Sequence, residues 1–526
     1  MTTLEAARRM TWSAFTARHA HEQPDAVAIR FLGQETTWRQ LDERVSRLAH
    51  WLQQTGVRPG DRVGALTLNR VQFIELVVAC TRVGAIFVPY NFRLSPAELE
   101  YVLSDSGASV VLVEAPLLPA YQASGYTGAT LLTLDVPEPP AGATDVEEAI
   151  AASPAEVEPV EGADSDPMMI LYTSGTTGHP KGAVLTHLNL MIQALGTIQA
   201  ADSFEEGVGL VGVPLFHVAG VGGLAPFFVN GGKVVIQPLG AFNAADTVDM
   251  LEREQVTSVF FVPAQWQAIV DHPGIKERNL ALKALSWGAA PASTTLLQKM
   301  SDTFPEARIT AAFGQTEMAP VTCLLKGDDA IRKMGSVGQP VSYVQVRVVD
   351  AEMRDVPQGE VGEIVYRGPN TMLGYWNKPE ATAEAFRGGW FHSGDLVRVD
   401  EDGFIYVVDR LKDMIISGGE NIYCAEVENV LFSHPGIADV AVVGRPDDKW
   451  GEVPVAVIVP TQRDQAPDTA SLREWLDGRL ARYKHPAEVI VLDELPRNAS
   501  GKVLKQPLRQ QVKDAPVSAG RTATPA

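Results

Sequence analysis

Cysteine is almost missing. Only Cys80, Cys323 and Cys424 occur in 526 residues, far apart and with no CxxC pair. That excludes a disulfide scaffold and a thiolate zinc cluster. It fits a reducing, cytoplasmic setting in which each thiol is a small buried hydrophobe. Positive charge is also short: 44 Lys+Arg against 64 Asp+Glu leave a net charge of −20. Bulk electrostatics therefore speak against nucleic acid or an anionic membrane as partner. No apolar run reaches the roughly 18 residues of a membrane-spanning helix. The N-terminus, MTTLEAARRM, carries charges where a secretory signal needs an apolar stretch. What remains is an ordinary globular composition, 45% hydrophobic and 21% charged, on a chain longer than one core supports. Two or more domains are expected, with the oligomeric state left open.

The early chain alternates strand and helix. Strands are read at 26–31, 63–68, 85–88 and 109–113. Helices start behind Thr37-Trp38-Arg39-Gln40 and Ser95-Pro96-Ala97-Glu98, two capping boxes in which a hydroxyl residue is followed three positions on by Gln or Glu. Such alternation implies parallel sheets covered by helices. The stretch 134–166 is rich in Pro, Ala, Glu and Asp and reads as a solvated excursion. Regular α/β patterning resumes at 168, and 335–410 reads as β-rich, with short strands and glycine turns. The expected fold is α/β: a large N-terminal domain (1–410) with parallel α/β sheets and a β-rich subdomain, a small mobile C-terminal α/β lid (411–510), and a disordered tail (511–526).

The organising stretch is 171–187, LYTSGTTGHPKGAVLTH. An apolar strand enters a loop, Thr173-Ser174-Gly175-Thr176-Thr177-Gly178, that ends at Pro180-Lys181-Gly182. Glycines let backbone N–H groups approach an anion, and hydroxyls with one lysine add donors and charge; this suits a polyphosphate. It is not a Walker A loop, because Lys181 precedes Gly182 and no Ser or Thr follows directly. Two glycine runs, 207–212 and 220–225, match GxGxxG or its Ala-ended form. The first follows a helix and opens a strand, the wrong order for a dinucleotide site, and a lone match of this kind is weak for either. Further stretches stand out: Phe313-Gly314-Gln315-Thr316-Glu317, 390–395 (WFHSGD), 409–421 (DRLKDMIISGGEN) and 496–502 (PRNASGK). A hydroxyl and a carboxylate at a strand end suit phosphate and Mg²⁺, and one carboxylate accepts both hydroxyls of a ribose.

These five stretches, in this order, resemble the motifs of the adenylate-forming superfamily, which holds acyl-CoA synthetases, luciferases and nonribosomal peptide adenylation domains. The resemblance covers nearly the whole chain apart from the tail. It implies that the 173–178 loop and Lys181 hold ATP phosphates. Gly288, Ala289 and Ala290 would flank adenine and Phe313, beside Gly314, would stack on it. Thr316 would meet the α-phosphate, and Glu317 and Thr173 would serve Mg²⁺. Asp395 and Arg410 would hold the ribose; Ser393 stands where the family usually has Thr. Lys412 would be the hinge of the lid, where many relatives carry Asp. Lys502 would neutralise charge as carboxylate and α-phosphate join. His217, after Pro214-Leu215-Phe216, would orient the carboxylate at an acyl site that includes Val218, Gly222, Trp287 and Ala312. Trp287 departs from the smaller residue common there and would shorten or reshape that pocket. Ser417, Gly418, Gly419, Glu420, Trp450, Tyr483 and His485 would contact coenzyme A, with His485 where some relatives place Arg.

The reaction so implied has two steps: a carboxylic acid and ATP give acyl-AMP and pyrophosphate, then coenzyme A gives the thioester and AMP. Two other readings stay open, a ligase that passes the acyl group to a carrier protein or an amine, and a nucleotide-binding sensor without turnover. The segments expected to line the acid site, 217–225, 260–266 and Trp287, contain no Arg or Lys. A second carboxylate buried there would lack a counter-charge, so a monocarboxylic acid with an apolar tail, fatty or aryl, is expected.

Overall fold

Phe87, Val111, Ile170 and their neighbours are buried strand residues, and the strands that carry them build the larger part of the molecule. The structure is a computed structural model that describes residues 10–157, 160, 162–173, 179–201, 207–288, 292–327, 329–418, 420–447, 449–497 and 503–515. The chain divides into two compact units, Met1–Val346 with Tyr366–Phe391, and Arg347–Val365 with His392–Ala526.

The larger unit holds two sheets among the described residues. One runs, in spatial order, Gly374–Tyr375, Lys181–Thr186, Pro167–Thr173, Ile86–Pro89, Arg62–Leu66, Val110–Glu114, Thr130–Leu134 and Thr144–Asp145. Its inner strands pair in parallel and read as apolar runs, as strands covered on both faces must. The other places Gln339–Pro340, Val321–Lys326, Arg308–Gly314, Ala284–Gly288, Ser258–Phe261, Val208–Val211, Lys233–Ile236, Val27–Phe31 and Gln34–Thr37 side by side. The run 207–212 thus opens a buried strand, while 220–225 lies inside the helix Val218–Asn230.

Both capping boxes form. Thr37 caps Trp38–Gln54 and Ser95 caps Pro96–Ser106, each with its side chain and its Gln or Glu partner bonded reciprocally. The strand Gln34–Thr37 is an addition: it returns antiparallel on Val27–Phe31 through Leu32-Gly33, both at positive φ. One expectation is corrected within 134–166. Asp145 caps a helix, Val146–Ala152, by accepting from the N–H groups of Glu147 and Glu148, and Val146, Ala149 and Ile150 are buried on it. Three apolar residues in one acidic turn suffice to dock a short helix that the surrounding composition hides.

Most residues of an antiparallel sheet, Gln345–Val349, Gly362–Arg367, Phe391–Val399 and Ile405–Arg410, belong to the smaller unit. A second sheet orders Glu420–Ile422, Ile415–Ser417, Gly451–Pro460 and Ile437–Asp447, with Glu488–Val491 parallel to Gly451–Pro460. Ile415, Val427, Leu431, Val442 and Ile458 form its core. The residues 392–410 cluster with this unit, so the compact units part upstream of 410. Residues 511–515, placed in the expected tail, are described and 511–514 are helical. The helix Lys505–Asp514 buries Leu508 and Val512 against Val443 and Val455.

Candidate active site

In the larger unit, the strands Pro167–Thr173 and Lys181–Thr186 pair antiparallel, bringing Thr173 opposite Lys181 across the mouth of the loop. Thr173 Oγ1 donates to the Lys181 carbonyl at 3.3 Å. Ser174, Gly175, Thr176, Thr177 and Gly178 lie outside the described residues, as do Ala289, Ala290, Gly419 and Lys502. Lys181 Nζ stands 5.1 Å from the centre of the Tyr375 ring. Tyr375 pairs with Ala183 at the edge of the sheet, and its hydroxyl donates to Glu317 Oε1 at 2.9 Å. Burial, with the Glu317 carboxylate beside it, pushes the Tyr375 phenol up, so it stays a donor. The fold thus joins the lysine and the carboxylate of two distant motifs through a tyrosine from a third segment. Tyr375 was missed in the sequence, where nothing local separates it from a structural aromatic.

Phe313 and Gly314 end the strand Arg308–Gly314, and Thr316–Met318 make one 3₁₀ turn that buries Glu317. Gly314 has φ +155°, and a Cβ there would fall 1.8 Å from the Pro320 carbonyl oxygen, so only glycine permits this return of the chain. Gly288 pairs with Ala312 and Trp287 with Ala311 on adjacent parallel strands. Trp287 is buried, 5% exposed.

His217 stands at the N-cap position of the helix Val218–Asn230 without a side-chain capping bond, and Val218 and Gly222 follow on that helix. Its Nε2 is buried without a hydrogen-bond partner, and burial, helped by the nearby charge of Arg93, pushes the imidazole down to about 4. A neutral ring can orient a carboxylate but supplies no counter-charge to it. Arg93 is a cation that the segment-by-segment reading of the sequence left out; it is exposed and lies against Phe92.

In the smaller unit, Asp395 and Arg410 are register partners on adjacent strands, with Arg410 Nε 2.9 Å from Asp395 Oδ1. Arg410 Nη1 also donates to the Ser393 carbonyl at 3.1 Å. Ser393 Oγ donates to the Ile364 carbonyl and accepts from Asp395 N–H. Glu363 completes the arrangement, accepting from Gly394 N–H at 3.0 Å and meeting His392 Nδ1 at 2.8 Å. Lys412 lies in the turn after these strands. Arg509 donates to its carbonyl at 3.1 Å and pairs with Asp413 at 2.6 Å.

Ser417, Gly418, Glu420 and Trp450 come together: Ser417 is opposite both Glu420 and Gly451, and Gly418 N–H donates to the Trp450 carbonyl at 2.7 Å. Tyr483 is exposed beside Lys484. His485 is turned inward, its Nε2 3.0 Å from the Leu480 carbonyl. Among the described residues no group of three or more His, Cys, Asp or Glu side chains could cage a metal ion, and no helix is long and apolar enough to cross a membrane.

Two family models match the chain, the AMP-binding enzyme over residues 16–376 and the AMP-binding enzyme C-terminal domain over 426–502. A feruloyl-CoA synthase from Amycolatopsis is 43% identical over 96% of this chain and 99% of its own length. An indoleacetate–CoA ligase from Aromatoleum aromaticum is 39% identical over 96% of this chain and 98% of its own. Among solved structures, the o-succinylbenzoate CoA synthetase of Bacillus subtilis, bound to its acyl-adenylate, superposes with a TM-score of 0.83 at 32% identity, covering 95% of this chain and 98% of that one.

Proposed function

The chain belongs to the AMP-binding enzyme family and is an AMP-forming acid–thiol ligase; from that premise we propose that its substrate is a monocarboxylic acid with an aryl tail. The acid's carboxylate attacks the α-phosphorus of ATP, pyrophosphate leaves, and acyl-AMP forms. The thiol of coenzyme A then attacks the acyl carbon and AMP leaves. Neither step needs a covalent protein intermediate, so positioning and charge neutralisation carry the catalysis.

The observation that carries the first step is the Lys181–Tyr375–Glu317 arrangement. It sets a cation at the mouth of the phosphate loop and a buried carboxylate held by one hydrogen bond. Such a carboxylate fits Mg²⁺, which takes one or two protein carboxylates and leaves the remaining positions to phosphate and water. When bound, that ion would offset phosphate charge; Glu317 and Thr173 are the residues we assign to it. Asp395 and Arg410, already paired, are assigned to the ribose, Phe313 to adenine, and Lys502 to the joining of carboxylate and α-phosphate. Ser417, Gly418, Trp450 and Tyr483 are assigned to coenzyme A. The inward His485 weakens its own claim to that role.

For the acid, the support is twofold. The segments 217–225, 260–266 and Trp287 carry no cation, so a second carboxylate buried among them would be unpaired. Two of the relatives above are named for aryl acids. Acid-dependent pyrophosphate release over a panel of cinnamate, octanoate, malonate and methylmalonate tests this. Cinnamate should lead and the two dicarboxylates should trail; a lead for malonate or methylmalonate would overturn the assignment.

A further inference from the structure

We propose that the acid this enzyme takes carries a hydroxyl group on its tail, and that Gln193 and Tyr343 recognise it. The inference rests on the ligase reading above and concerns the far end of the same substrate.

The helix His187–Ala201 follows the signature strand directly and packs against Val218–Asn230, the helix that His217 opens. Gln193 sits on it and is 3% exposed. Thr197 Oγ1 spends its only proton on the Gln193 carbonyl, 2.9 Å away, and so must accept the 2.8 Å hydrogen bond from the Gln193 side-chain amide. This fixes the amide's orientation. Its N–H faces Thr197, and Oε1 points elsewhere, buried and with no hydrogen-bond partner. That oxygen lies 3.8 Å from where a Cβ on Gly222 would be, on the helix assigned to the acid.

Gly196, three residues on, shares this helix face. The Tyr343 ring lies across it: a Cβ at 196 would stand 2.0 Å from Tyr343 Cε1 and 2.8 Å from its hydroxyl oxygen. Glycine is therefore what admits the ring. The Tyr343 hydroxyl is buried and also has no partner. One acceptor and one hydroxyl, both unsatisfied, thus lie against one face of this helix, Gln193 Oε1 beside Gly222 and the Tyr343 hydroxyl over Gly196.

Native proteins seldom leave such buried groups unpaired. A ligand hydroxyl answers both, since it donates one proton to Gln193 Oε1 and accepts one from Tyr343. A C–H tail answers neither. A carboxylate would turn its charge on the Gln193 oxygen, and an ammonium would be buried without a counter-ion.

The experiment compares kcat/KM for acid-dependent pyrophosphate release between acids that differ by one hydroxyl: 4-hydroxycinnamate with cinnamate, and 8-hydroxyoctanoate with octanoate. At least one hydroxylated partner should be preferred by on the order of 10- to 100-fold, because an analogue without the hydroxyl leaves buried polar groups unpaired. The two pairs tell a ring hydroxyl from a chain one. Gln193→Leu, or Tyr343→Phe, which removes a single oxygen and leaves the ring on Gly196, should bring that ratio toward one. A ratio near one for both pairs in the natural enzyme, or a ratio that survives both substitutions, overturns the inference. If no acid of either pair releases pyrophosphate, it is the substrate class proposed above that fails instead.

Discussion

His187 and His217 are two buried imidazoles that the fold holds neutral. Burial pushes each from 6.5 down to about 4, and the carboxylates of Asp164 and Asp166 only partly oppose this at His187. The sign of the linkage follows. The unfolded chain takes up both protons as pH falls below about 6.5, while the folded chain resists until about 4. Stability is therefore full above about pH 6.5 and is lost progressively toward about 4. Urea midpoints at neutral and mildly acid pH, compared with those of a His187→Gln/His217→Gln variant, check this; the variant should lose less on acidification. An identical acid loss in both would show that these rings do not carry it. Residue identity alone could not reveal the effect, since it depends on what covers each ring.

Elements whose signals are local were legible. The Ser95 box needs only Ser95 and Glu98: Ser95 Oγ accepts from Glu98 N–H, and Glu98 Oε2 accepts from Ser95 N–H at 2.9 Å. Leu99, Val102 and Leu103 on that helix are buried in the core. Ser95→Ala should cost about 1 kcal/mol, the usual worth of an N-cap, read as a drop in the urea midpoint at unchanged slope. Ser95→Asp should restore most of it, because aspartate caps as well. The helix Val71–Val83 has no capping side chain and ends at the left-handed Gly84. Val146–Ala152 was not legible, because acidic composition outweighed three apolar residues whose partners lie far away in sequence.

At the scale of the whole molecule, the two half-reactions make different demands on the smaller unit. Lys502 is assigned to the first step and the Gly418 loop to the second, and a rotation about Lys412 would present them in turn. Arg509, bonded to the Lys412 carbonyl and to Asp413, ties the last helix to that turn. Lys502→Ala should slow acid-dependent pyrophosphate release by on the order of 10²- to 10³-fold. It should spare coenzyme A consumption from supplied acyl-AMP. Lys412→Pro should do the reverse, since proline fixes φ and blocks the swing. Equal damage to both steps by Lys502→Ala would refute the division of labour.

By itself the sequence determined the α/β class, the family, the order of the motifs and the local caps. Each of these is written in contiguous residues, where spacing alone decides whether a side chain meets a backbone N–H or a glycine can turn. It also placed Asp395 and Arg410 among the candidate ligands, though not against each other. Only the tertiary structure decided that Tyr375 links Lys181 to Glu317, that His485 turns inward, that Arg93 lies near His217, and that Gln193 and Tyr343 keep unpaired polar atoms on one helix face. The reason is physical. A hydrogen bond between residues tens or hundreds of positions apart leaves no periodicity in the chain, and whether a polar atom is satisfied depends on every segment packed around it.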